Sequence, residues 1–281
     1  MYSRFKWSPK SCGRLAILKK FEPLQPFLMM ALVEKIGART FLDVGANVGI
    51  YGILVASIPT IERVLTFEPS QETLIELKKN IDLNGFQKKI SVYPNAVSSE
   101  IGKVNFGIIS ALSGANSVIS TSIHDPDKVT QEIFVESITL DSLALADDGF
   151  PVCMKIDIEG HELKALEGAR NLLRSRKIVI QYEAYDRSND ELGVFLKSLG
   201  FGPIANIGPD HYVTNDPTIA TPEFALSVIE IAAQLQIDDN HAPPVPMPHP
   251  PLRVKGPAGI AIELTGRSRN IAQRFLRVSN S

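Results

Sequence analysis

The stretch Phe41-Leu42-Asp43-Val44-Gly45-Ala46-Asn47-Val48-Gly49 is an apolar run that ends in an acid and then turns, on two glycines, toward a helical pattern. Glycine lacks a Cβ, so a chain that carries it between strand and helix can turn tightly and lie close to a ligand. A dinucleotide fingerprint spaces its glycines as G-x-G-x-x-G and seats a pyrophosphate on the helix N-terminus. Here Asn47 stands at the second glycine position. Asp43 sits just before the turn, where a carboxylate repels a diphosphate and attracts an ammonium or sulfonium. The bland alternative makes Gly45 and Gly49 turn residues and nothing more.

A second acid, Glu68 in Thr66-Phe67-Glu68-Pro69, lies 19 positions beyond Gly49 at the end of the next β-rich run. A carboxylate accepts hydrogen bonds from both hydroxyls of a ribose, and this strand end is where a doubly wound sheet presents one. Asp43, the Gly45, Asn47 and Gly49 turn, and Glu68 together describe a site for a nucleoside with a positive charge nearby. S-adenosylmethionine has that description. A nicotinamide dinucleotide is disfavoured by Asn47.

Working outward from residue 40, short β-rich runs alternate with segments of helical period, which is the pattern of βαβ units and a parallel sheet with helices on both faces. The predicted strands are Thr40 to Val44, Arg63 to Phe67, Lys89 to Tyr93, Val152 to Ile158 and Ile178 to Tyr182. Helices are expected after Ser70 as N-cap, with Leu74, Leu77 and Ile81 inward, and from about His161 to Arg174. Another begins at the capping box Ser188-Asn189-Asp190-Glu191 and stops at Gly200. Between the third and fourth strands, Lys103 to Ile108 and Glu132 to Ile138 alternate like antiparallel strands around a polar stretch, Ser110 to Gln131, expected to lie near the site. A last hairpin, Phe201 to Ile207 and His211 to Thr214, is expected to close the sheet with an antiparallel edge.

The third cluster of interest is Asp157-Ile158-Glu159-Gly160-His161-Glu162, at the carboxyl end of the fourth strand. Ligands in open α/β sheets sit beyond such ends, near the switch point between the first and fourth strands. Asp157, Glu159 and His161 are the candidate catalytic residues. They could position an acceptor hydroxyl, remove its proton, or hold a divalent cation, which the residues permit but do not require. His161 is the preferred base because its ordinary pKa suits neutral pH, although a lone histidine at a helix start is more often a cap. Glu183, at the end of the fifth strand, joins the acceptor pocket or pairs with Lys155.

The flanks read differently. Six basic residues, Arg4 to Lys20, precede the first acid, Glu22, and are expected to form a solvated arm. Thr221 and Pro222 open an amphipathic helix carrying Phe224, Val228, Ile231, Ala232 and Leu235. Prolines take six of the nine positions from Pro243 to Pro251, a stiff linker, and the tail beyond holds six basic residues against Glu263. The expected organisation is thus 1–37, basic arm and helix; 38–215, catalytic domain; 216–241, C-terminal helix; 242–281, proline-rich linker and basic tail. Over the whole chain 29 Lys and Arg stand against 31 Asp and Glu, a net charge of −2 that gives no sign of nucleic-acid binding by phosphate neutralisation. Two cysteines are too few for a disulfide framework. Neither a signal-type apolar segment nor a run fit to span a bilayer is visible, so a cytoplasmic protein without stable membrane insertion is expected.

The segments FLDVGANVGIYG, TFEPS, NAVSSEIGKV, TLDSL and MKIDIEGHELKALEGA, followed by the Glu183 strand, resemble the FkbM family of S-adenosylmethionine-dependent methyltransferases over roughly residues 38 to 215. The resemblance implies a class I methyltransferase fold: a Rossmann-like seven-stranded sheet, mostly parallel with an antiparallel last strand. It implies methyl transfer, usually to a hydroxyl oxygen of a small-molecule, sugar or polyketide-type acceptor. By motif, Asp43, Gly45, Asn47 and Gly49 would hold the methionine part, Glu68 the ribose, and Asn95 and Ala96 would lie beside the adenine. Asp157, Glu159 and His161 would face the acceptor. The competing expectation is a scaffold that binds the cofactor without catalysis and engages a partner through its linker and tail.

Overall fold

Thr40–Val44 (β1) lies at the centre of a seven-stranded sheet, paired in parallel with Arg63–Phe67 (β2) on one side and Val152–Ile156 (β8) on the other. The structure, a computed structural model, describes residues 5–119, 128–145, 147–184 and 191–239. Ile90–Tyr93 (β3) continues the sheet beyond β2, and Ile178–Glu183 (β9) beyond β8. Gly202–Ile207 (β10) and Asp210–Thr214 (β11) complete it in the order β10-β11-β9-β8-β1-β2-β3, with β11 antiparallel to both its neighbours. This is the class I methyltransferase strand order. The antiparallel strand is not at the edge, as the hairpin pattern suggests, but is inserted between β9 and β10.

Successive residues of each strand point to opposite faces, and both faces are buried. Phe41, Val64, Cys153 and Val179 face Gln25–Ile36 (α2), Ile50–Ala56 (α3), Gln71–Asn84 (α4) and Pro222–Asp239 (α8). Leu42, Leu65, Met154 and Ile180 face Glu162–Glu167 (α5), Arg170–Ser175 (α6) and Glu191–Ser198 (α7). Thr221 caps α8 through its hydroxyl, which accepts the Phe224 amide at 3.2 Å. Gly200 ends α7 with φ +85°. Ser188 to Asp190 of the proposed capping box, Arg4, and the whole linker and tail lie outside the described residues.

Three further regions depart from the sequence reading. The helix expected from His161 to Arg174 is two short ones, because Gly168 passes the Ser98 carbonyl so closely that a Cβ would lie 2.1 Å from it. Gly168 O accepts the Asp141 amide, and the Asp141 carboxylate caps a fresh start by accepting from Asn171 and Leu172. The stretch after β3 builds a sheet of its own: Ala96–Val97 (β4), Gln131–Ile138 (β7), Gly102–Ile108 (β5) and Ser117–Val118 (β6), in that order. Its β5 and β7 pair antiparallel, as their alternation predicts.

The N-terminal segment is docked, not free. Its basic side chains Lys6, Lys10, Lys19 and Lys20 are exposed, but Ser8 and Ser11 are buried against α4 and Cys12–Phe21 (α1) seats Leu15 and Leu18 in the core. Ser8 N donates to Asn80 Oδ1 at 2.8 Å, the Ser8 hydroxyl bonds Glu76, and Asn80 Nδ2 donates to Ser11 Oγ at 2.9 Å.

Candidate active site

β1, β2 and β8 end at one edge of the sheet, and the turn after β1 is built there from backbone bonds. Gly45 N and Ala46 N both donate to Phe67 O, and Asp157 N donates to Val44 O at 3.1 Å. Gly45, Asn47 and Gly49 all have positive φ, of 78°, 48° and 86°. A Cβ on Gly45 would stand 2.0 Å from Asp157 O, and one on Gly49 2.4 Å from Leu77 Cδ1. The missing side chains therefore make room for the protein itself, bringing β1 and β8 together at the switch point. Asn47 tolerates the left-handed conformation and uses its side chain to hold a loop, Nδ2 donating to Ser113 O at 3.2 Å.

Above this edge lies a cleft partly open to solvent. Gly45, Asn47, Glu68, Asn95, Ala96 and Asp157 line it. Asp43 lies beneath the lining, while Gly49, Glu159 and His161 stand outside it. Glu68 is fixed by two backbone donors, Asn47 N to Oε2 at 3.0 Å and Ser70 N to Oε1 at 2.9 Å. Burial raises its pKa to about 7, against the pull of those two amides. The Ser70 hydroxyl accepts from Thr73 instead of capping α4.

The floor is organised around one buried cation. Lys155 pairs with Asp157 Oδ2 at 2.9 Å and lies beside Asp43 in the parallel register. Burial opposes its charge, but the carboxylates of Asp157, Asp43 and Glu22 outweigh that and hold its pKa above the usual lysine range. Asp43 is pushed up to about 6 by burial, an effect moderated by Lys155 and by the Gly52 amide, which donates to Oδ2 at 2.9 Å. Tyr51 donates to Glu22 Oε2 at 2.6 Å. Gln181 links Tyr51 to Asp210 through contacts of 3.1 and 2.9 Å. Asp210 also accepts from Gln25, and burial raises its pKa to about 7.

Three acids around a single ammonium leave a negative surplus, and buried Asp43 Oδ1 and Asn47 Oδ1 have no hydrogen-bond partner among the described residues. Such a set of acceptors complements a ligand that brings positive charge and hydrogen-bond donors. The sulfonium and amino groups of S-adenosylmethionine fit this requirement, with Glu68 offering acceptor oxygens one strand away.

At the tip of β8 the four polar residues divide their tasks. Asp157 holds Lys155. Glu162 ties the turn, accepting Ile158 N at 2.8 Å and Gly160 N at 2.9 Å. His161 places Nε2 3.0 Å from Ser98 Oγ, and burial, then Lys164, lowers its pKa. Glu159 sits at the apex with φ +58°, and among the described residues its carboxylate makes no hydrogen bond or salt bridge. Burial, reinforced by Asp157 and Glu162, raises its pKa to about 7. Glu183 closes β9 in register with Asp210, and the Lys155 salt bridge goes to Asp157.

Arg14, Leu18, Glu22 and Tyr51 also line the cleft, together with Ser113, Gly114 and Asn116 of the loop before β6. The sequence singles out none of these as site residues, although the polar stretch from Ser110 is expected nearby. Leu15 and Leu18 at helical spacing, with Arg14 and Glu22 on either side, were the available signal. Among the described residues no three His, Cys, Asp or Glu converge on a metal position, and no helix is long and apolar enough to cross a membrane.

Residues 43–203, more than half of the chain, match the family model described as the methyltransferase FkbM domain. Over 143 residues the chain is 29% identical to the hexuronic acid methyltransferase AglP of Haloferax volcanii, covering 49% of this chain and 53% of that protein. It therefore spans about half the length of this curated relative. Among solved structures, it is similar to a methyltransferase FkbM from Methylobacillus flagellatus, with 22% identity, 63% of this chain and 43% of that one covered, and a TM-score of 0.43. It is also similar to an O-methyltransferase from Bacillus cereus in complex with SAH, with 15% identity, 74% and 90% covered, and a TM-score of 0.41.

Proposed function

The chain belongs to the FkbM methyltransferase family, and on that premise we propose that it moves the methyl group of S-adenosylmethionine to a hydroxyl oxygen of a sugar-type acceptor, with Glu159 as the base. When bound, S-adenosylmethionine supplies a methyl group already activated by its sulfonium charge. The sugar-type acceptor is suggested by the relative that methylates a hexuronic acid.

In this reading Asp43 and the Gly45 to Gly49 turn hold the methionine part, Glu68 takes the ribose hydroxyls, and Asn95 and Ala96 flank the adenine. The protein's main contribution is alignment of two reactants, worth about 7–11 kcal/mol when geometry is near ideal. One proton must then leave the acceptor hydroxyl. The observation that carries the assignment is the division of labour at the β8 tip: Asp157, His161 and Glu162 are each bonded to protein, and Glu159 is not. A carboxylate with a pKa of about 7 is well matched to a base acting near neutrality.

Incubating the protein with methyl-labelled S-adenosylmethionine and a panel of glycosides tests the reading, and a labelled methyl ether is the expected product. Label on a nitrogen or a carboxyl oxygen, or no label from a protein that binds S-adenosylhomocysteine by calorimetry, would refute it.

A further inference from the structure

Arg14 is a cation in the cleft wall that the fold leaves uncommitted. It projects from α1, lines the cleft, and lies over the backbone of Gly114, where a Cβ would come within 2.3 Å of Nη2. Among the described residues it forms no hydrogen bond or salt bridge. Lys155, the other cation in the lining, is engaged by Asp157. The charge of Arg14 acts on the carboxylates of Glu22 and Glu159.

The position is also a built one. Leu15 and Leu18 anchor α1 in the core, and the Ser8, Ser11 and Asn80 bonds pin the segment before it to α4. A half-buried guanidinium on a fixed helix has lost part of its hydration and much of its freedom, and it gains most from a planar anion that takes two of its N–H groups at once.

We propose that Arg14 binds a carboxylate on the acceptor and so selects acidic acceptors, setting a neighbouring hydroxyl against Glu159. The proposal rests on the methyl-transfer reading above. Glu22 and Asp157 line the same cleft and the charge of Arg14 acts on Glu22 and Glu159, so a doubly charged phosphate would meet more repulsion there than a single carboxylate paired one to one with the guanidinium. Arg14 lies outside the family-matched residues 43–203, as suits a group that reads this chain's own acceptor and not the shared cofactor.

The test is calorimetric binding of glucuronic acid and of glucose to the full chain saturated with S-adenosylhomocysteine. Wild-type protein should bind glucuronic acid at least about tenfold more tightly than glucose. Arg14→Ala should bring the two to parity, Arg14→Lys should keep part of the preference, and both should bind S-adenosylhomocysteine within about twofold of wild type. No preference in the wild type, or one that survives in Arg14→Ala, overturns the proposal. A parallel loss of S-adenosylhomocysteine affinity also overturns it, by assigning Arg14 to the methionine carboxylate. Failure of the methyl-transfer reading would register separately, as a preference for glucuronic acid that depends on Arg14 without any labelled methyl ether.

Discussion

Asn80 donates through Nδ2 to the Val48 carbonyl at 2.9 Å, so a helix on the far side of the glycine turn holds the turn from behind. The same carboxamide donates to Ser11 Oγ and accepts from Ser8 N, which ties the N-terminal segment to the turn through one side chain. Asn80 is fully buried, so Asn80→Ala leaves Val48 O and Ser8 N without partners. Each net bond is worth about 1 kcal/mol and each orphan costs more, so about 2–4 kcal/mol of stability should be lost. Denaturant unfolding measures this, and a loss below about 1 kcal/mol would mean that water replaces the carboxamide. Limited proteolysis should cut the variant before residue 22 faster than wild type.

Gly45 and Gly85 have similar backbone angles, φ +78° and +72°, but different surroundings. A Cβ at Gly85 meets nothing within 4 Å, whereas at Gly45 it meets Asp157 O at 2.0 Å. Gly85→Ala should therefore cost the left-handed strain alone, about 1–2 kcal/mol. Gly45→Ala adds a backbone clash across the switch point and should cost at least about 2 kcal/mol beyond Gly85→Ala. Equal costs in paired unfolding curves would show that β1 and β8 part easily.

The sheet was largely legible because its strands obey local rules. Both β1 and β2 begin and end at the residues their apolar runs mark, and Glu68 falls where a doubly wound sheet puts its second acid. What the sequence hid depends on contacts between distant segments. No local pattern announces that Gly168 must clear Ser98, or that Asp141 restarts the helix 30 residues on. In α2 every residue from Gln25 to Val33 is buried, so it has no amphipathic period to detect. At the site, the motif told which acids cluster at the β8 tip but not which are occupied. His161 attracts attention by chemical type, and its contact with Ser98 emerges only in three dimensions.

Glu159→Gln should lower turnover by about 10²–10⁴-fold while leaving S-adenosylhomocysteine affinity unchanged. With its pKa near 7, wild-type turnover should rise with pH and level off above about 7, and the variant should lose that rise. His161→Ala, which gives up the Ser98 contact, should cost less than about tenfold. Steady-state rates from pH 5.5 to about 8.5 decide between them. A larger loss at His161 than at Glu159 would transfer the role of base to the histidine.

Glu68 links pH to both stability and binding, with opposite signs. Its pKa in the fold is about 7, above the ordinary 4.5, so between these values the folded chain holds a proton that the unfolded chain releases. Its contribution to stability is thus full below about pH 4.5 and fades as pH rises through 7. Asp43, Glu159 and Asp210, also raised, act in the same direction. The ligand-free protein should consequently unfold more easily at pH 8 than at pH 5, and Glu68→Gln should flatten that slope. Ribose hydroxyls need the ionised carboxylate as acceptor. The ionised share of Glu68 climbs from about a tenth at pH 6 to about nine tenths at pH 8, so affinity for S-adenosylhomocysteine should rise up to about tenfold over that range. Glu68→Gln should remove most of the rise and leave the smaller part owed to Asp43. Calorimetric titration at the two pH values tests the sign directly, since an affinity that fell with pH would mean that Glu68 binds the ribose as a neutral acid.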